Sequence, residues 1–172
     1  MMTFRFAKCA VAVGAIGLAA VLPSNAQAAN ATATATATIA TAIGLANTVD
    51  MDFGSISPGG TTGTVILATD GSRTTSGGTS VLSGGPGAAA SFDVTGEGTN
   101  TYSITLPGSV SLTGPGPAMA ANTFVSLPAT TGALTAGAQT LLVGATLAVD
   151  DSATQTSGVY TSAAFTVTVN YN

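Results

Sequence analysis

The sequence predicts an all-β protein, a single antiparallel β-sandwich with an extended N-terminal strand. Three observations predict it. Apolar residues recur at every second position in run after run, which sets them on one face of an extended chain. Clusters of Gly, Pro, Asp and Ser punctuate these runs at the short intervals typical of a sandwich. Beyond residue 28 no stretch carries a convincing helical period, so strands must build the core.

The longest alternating run extends from Ala31 to Phe53. Its odd positions hold Ala31, Ala33, Ala35, Ala37, Ile39, Ile43, Leu45, Val49, Met51 and Phe53, and its even positions are mostly Thr or Asp. At about 3.3 Å per residue it would reach roughly 76 Å, several times the usual strand of about 17 to 20 Å. One compact domain cannot use it as one strand. A break is expected between Thr41 and Asn47, where the alternation falters around Gly44. The four alanines offer methyl groups worth only about 0.8 kcal/mol each on burial, whereas the residues after them are larger. The run therefore divides into a weakly anchored Ala-Thr arm and a strongly anchored strand of the domain, with Ile39 at the junction.

Ahead of this run, Arg5 and Lys8 precede an apolar segment from Cys9 to Leu22, then Pro23 and the small-residue site Ala26-Gln27-Ala28. This is the pattern of a secretory signal peptide, and its apolar segment is shorter than the roughly 20 residues of a membrane-spanning helix. The expected organisation is a signal peptide over 1–28, an extension over 29–42 and one sandwich domain over 43–172. Export, transit through the periplasm and a final place at the cell surface or outside the cell follow, with no membrane insertion after cleavage.

Composition narrows the partners. Past residue 28 only Arg73 opposes all 7 acids, so nucleic acid and anionic membranes are poor partners. The one cysteine, Cys9, lies in the expected signal, which leaves no disulfide to brace the domain. Its stability must come from strand pairing and burial.

The remaining elements follow in order. Asp52-Phe53-Gly54-Ser55-Ile56 leads into a turn from Ser57 to Gly63, and a short strand is expected over 64–68. Asp70-Gly71 predicts a hairpin closed by a two-residue turn with positive φ angles. The return arm, 73–82, is polar and reads as an edge strand or a loop. Ala90, Phe92 and Val94 share one face of a strand over 88–95. Tyr102, Ile104 and Leu106 share one face of the next, and Val110-Ser111-Leu112 follows before the Gly114-Pro115-Gly116-Pro117 break. A strand is expected over 123–127. Leu141, Val143, Ala145, Leu147 and Val149 then alternate strictly, with Gly144 marking a bulge or a close backbone approach. After a polar connection over 150–158, the chain closes with Phe165, Val167, Val169 and Tyr171 on one face of a strand over 164–172. A membrane β-barrel also alternates, yet it needs aromatic girdles. This chain has no Trp and 3 Tyr.

Chemistry is tested by subtraction. The sequence has no His, and past residue 28 it has neither Lys nor Cys, so Ser and Thr have no ordinary base to activate them. Thiolate and imidazole metal sites are removed by the same count. Asp50 and Asp52 point to one face of a strand, but a pair of carboxylates falls short of the six to eight oxygens that Ca²⁺ takes. Asp150-Asp151 reads as turn chemistry. Asp93 and Glu97 are placed to pair weakly with Arg73. No catalytic residue, cofactor or metal is expected, and the protein is not expected to be an enzyme.

Asp52 to Ile56, Ala90-Ser91-Phe92-Asp93-Val94-Thr95-Gly96, Tyr102 to Pro107, Val143 to Leu147 and Phe165 to Asn172 together resemble the bacterial secreted family of unknown function DUF4402. These motifs are strand and turn residues and carry no chemistry. That family in turn resembles subunits of chaperone-usher pili and spore coat protein U, whose immunoglobulin-like sandwich lacks a strand that a neighbour's N-terminal extension supplies. Tyr171 is penultimate, as in pilins, and Gly158 lies close to the place where they carry a glycine. The pilin disulfide is missing.

The resemblance implies a pilin-like structural subunit of a cell-surface fibre or coat. It implies donor residues Ala31, Ala33, Ala35, Ala37 and Ile39, and a partner-binding terminal strand with Phe165, Val167, Val169 and Tyr171. Self-association, a periplasmic chaperone and an outer-membrane usher are the implied partners. The alternative is a self-contained secreted sandwich acting as an adhesin-like binding module, with carbohydrate as a ligand class.

Overall fold

Extended backbone dominates wherever Thr, Val and aromatic residues alternate with small ones, because such side chains suit a pleated, half-buried surface. The computed structural model of the chain describes residues 28–172. The expected signal peptide therefore lies almost wholly outside the described residues. The chain divides into two units, one ending at Ala37 and one covering Thr38–Asn172. Residues 28–37 of the first are exposed and form no strand.

The second unit is all-β and antiparallel. Its strands are β1 (Gly44–Val49), β2 (Ile56–Ser57), β3 (Gly63–Leu67), β4 (Arg73–Gly77), β5 (Ser80–Val81), β6 (Ala90–Thr95), β7 (Thr101–Thr105), β8 (Ser109–Thr113), β9 (Met119–Leu127), β10 (Thr131–Ala133), β11 (Ala138–Val149), β12 (Thr161–Ser162) and β13 (Thr168–Tyr171). Among the described residues there is no helix, and so none that crosses a membrane.

β11 is the hub because its strict alternation buries Leu141, Val143, Ala145, Leu147 and Val149 together. The main sheet runs β1-β6-β11-β9-β8-β12, with β3 also paired to β11 and β4 paired to β3. Along β11, residues 138–143 pair with β6 and residues 145–149 with β3. The exchange falls at Gly144. A Cβ there would lie 2.2 Å from the Leu67 carbonyl oxygen, which is the close approach expected from sequence, and the β9 pairing shifts register at the same place.

A second sheet, β10-β7-β13, covers one half of the main sheet. Tyr102, Leu134, Val167 and Val169 meet Ala90, Phe92, Val94, Leu141 and Val143 there. Over the other half, Val65, Leu67, Ala121, Leu147 and Val149 are met by Phe53, with Met51 and Ile56 packed against the cluster. An irregular segment covers that half where a strand covers the first.

Four details differ from the sequence expectation. The Asp70-Gly71 hairpin forms, but Ala68 N–H donates to Ser72 O and Gly71 N–H to Ala68 O, which closes a three-residue loop. Only Gly71 takes positive φ (82°), the type I turn plus bulge that suits one left-handed residue. The strand expected over 123–127 begins at Met119, since pairing with β8 extends it. The terminal strand is shorter than 164–172, because β7 pairs only with Thr168–Tyr171. Val49 is 45% exposed despite its apolar phase, since a register shift between Asn47 and Val49 breaks the alternation.

Candidate functional site

Among the described residues no group of three or more His, Cys, Asp or Glu side chains could hold a metal ion. Asp52 Oδ1 accepts from Gly54 N–H, and Asp151 Oδ1 accepts from Ala153 and Thr154 N–H, both local turn roles. Arg73 corrects another expectation. Its guanidinium donates to the carbonyls of Phe53 at 2.8 Å and Leu82 at 3.4 Å, so it ties the irregular 53–55 and 82 loops together rather than pairing with Asp93 or Glu97.

The expected donor residues are laid out for contact. Ala31, Ala33, Ala35 and Ala37 are exposed and outside any strand, and Ile39 is 96% exposed. Among the described residues, Thr41 is the first with a hydrogen bond to the rest of the domain. Its Oγ1 donates to Glu97 Oε2 at 2.7 Å and its N–H to the same oxygen at 3.3 Å. Tyr171 Oη donates to Thr41 O at 2.9 Å and accepts from Glu97 N–H at 2.7 Å. The penultimate residue thus closes a latch on the root of the arm. Sequence reading missed this partner because positions 41, 97 and 171 meet only through β1, β6 and β7 pairings.

The Thr41 hydroxyl, with its N–H, holds the Glu97 carboxyl below the ordinary range. A depressed carboxylate contributes stability above its unfolded value that is lost as pH falls through the folded value. Acidification below about pH 4 should therefore loosen Thr41 before the core opens. The protection factor of the Thr41 amide, corrected for the pH dependence of intrinsic exchange, should fall there in the native chain and hold steady in Glu97→Gln.

The terminal residues divide in role. Phe165 is half-buried with its ring 5.6 Å from that of Phe124, and Val167 and Val169 are buried, so these three side chains serve their own core. What β13 leaves open is backbone, since among the described strands it pairs with β7 alone.

Two adjoining clefts lie beside the irregular segment that covers the second half of the main sheet. The first, of about 640 Å³, has Phe53, Leu112, Met119 and Leu147 in its lining, with Gln155 and Val159. The second, of about 680 Å³, includes Phe92, Ala121, Phe124 and Phe165, with Asn47 and Asp50. Met51, Phe53, Leu112, Val159 and Tyr160 line both. Tyr160 is held in place, its Oη accepting from Gly116 N–H at 2.9 Å and donating to Thr156 O at 2.8 Å. Val159 is 81% exposed. The sequence showed only a polar connection followed by a short apolar run here, because the clefts are made by segments far apart in the chain.

Comparison with curated proteins and with solved structures returned no match. Residues 43–171, which hold all the strands together with Glu97 and Tyr171 of the latch but not Thr41, match the family model "Domain of unknown function (DUF4402)", and the chain belongs to that family.

Proposed function

We propose that this protein is a non-enzymatic structural subunit of a bacterial cell-surface fibre or coat, exported through its N-terminal signal and assembled by N-terminal β-strand donation. The observation that carries the reading is the uncharged, fully exposed run 28–42, which alternates like a strand yet belongs to none. An extended segment of this kind adds to an open sheet edge through backbone hydrogen bonds while alternate side chains fill pockets. The unpaired edge of β13 is an edge of the required type, and the two clefts are apolar recesses of the required type. A disulfide-free domain gains stability from such a neighbour by mass action. A periplasmic chaperone and an outer-membrane usher are the partners this route would use.

Deleting residues 29–42 from the exported chain tests the reading. Electron microscopy and an unboiled denaturing gel should show assemblies with the intact chain and monomers with the deletion. Equal assembly by both chains overturns strand donation. Monomers in both, with glycan-array binding, would instead establish the adhesin-like module.

A further inference from the structure

We propose that the paired clefts beside Val159 receive Ile39 from a second copy of this chain, and that the Thr41 latch is what directs the arm outward. This rests on the strand-donation reading and names its acceptor.

The occupant follows from reach and charge. Thr41 is tied to Glu97 and Tyr171, so Ile39 of the same chain stays within about 7 Å of that point. Asn47, the cleft residue nearest along the strand, lies at most about 20 Å of extended chain beyond Thr41. With the latch closed, Ile39 is 96% exposed and lines neither cleft of its own domain. A neighbour's Ile39 can reach them.

Asp52 lines both clefts and Asp50 the second, so an acidic segment would be repelled there, and a charged side chain would lose hydration against Met51, Phe53 and Leu112. The arm avoids that cost, since the chain carries no charge between Lys8 and Asp50. Its single large apolar side chain matches an apolar recess, and Val159 stands exposed at that recess with nothing covering it among the described residues. Gln155, which lines the first cleft, is held in place by its Nε2, which donates to Pro117 O at 3.2 Å.

The test is a directed cross-link in the full exported chain with Cys9→Ser. One copy carries Ile39→Cys and a second carries Val159→Cys, both at exposed positions that tolerate the change. The control replaces the second with Thr74→Cys on the exposed edge strand β4. Oxidation of the mixture should give a disulfide-linked dimer with the Val159 copy and none with the Thr74 copy.

Equal cross-linking to both positions overturns the site. Arm-dependent assembly without the Val159 cross-link overturns the site but leaves strand donation standing. Absence of arm-dependent assembly overturns both. A chain carrying Ile39→Cys and Val159→Cys together should form the bond only between molecules, and an internal bond refutes the role of the latch.

Discussion

Ile39→Asp should abolish assembly and leave the domain as stable as before. At 96% exposure the side chain contributes little to its own fold, and a surface substitution of this kind moves stability by no more than about 0.5 kcal/mol. In an assembly the balance reverses. Burying an Ile side chain is worth about 1.5 to 3 kcal/mol, which corresponds to roughly tenfold to a hundredfold in a dissociation constant. A carboxylate in the same apolar place adds the cost of desolvating a charge. The alanines before it offer methyl groups only and cannot compensate. Sedimentation should show the variant as a monomer at concentrations where the parent chain associates, and urea unfolding of the two should superimpose. Association of the variant at the parent's affinity would refute Ile39 as the anchor.

Gly144→Ala is expected to have the largest effect on the fold. The added Cβ would sit 2.2 Å from the Leu67 carbonyl oxygen and 3.0 Å from the Ala68 carbonyl carbon. Both are backbone atoms at the end of β3, which pairs with β11 immediately beyond this position. Neither can swing aside as a side-chain tip does. Overpacking of this kind costs about 1 to 3 kcal/mol, a large share of the roughly 5 to 15 kcal/mol that stabilises a domain. Gly108→Ala, where nothing lies within 4 Å, is the control and should leave the urea midpoint in place. A shift no larger at Gly144 than at Gly108 would show that β3 and β11 separate easily.

Most of the first core was legible in the sequence. Ala90, Phe92 and Val94 alternate without interruption, as do Leu141 and Val143, and all five are buried together. Period-two patterning reports burial reliably where a strand is regular, since a one-residue slip would turn every side chain outward. It failed at Val49, where a register shift interrupts β1; in the terminal segment it placed Phe165, Val167 and Val169 on the core face correctly and overstated only the length of the strand. The Asp70-Gly71 signal located its hairpin, while the length of the loop depended on which backbone pair closed it.

The candidate site was legible in one half only. The arm announced itself because a donor is a local pattern, a run of alternating residues with nothing to pair with. The clefts and the latch did not, because each is assembled from residues distant in the chain. Leu112, Phe53 and Val159 line one cleft from three segments, and Tyr171 reaches Thr41 through 130 positions of sequence separation.

By itself the sequence determined that the domain is built of strands, which faces of its regular strands are buried, and where its uncharged arm begins, since these depend on neighbours within a few residues. Tertiary structure alone decided that Thr41 is the point of exit, that Gly144 is where one strand gives way to another, and that half of the main sheet is covered by an irregular segment. Those outcomes rest on which backbone groups find partners across the fold, and alternation along one strand carries no record of the strand opposite.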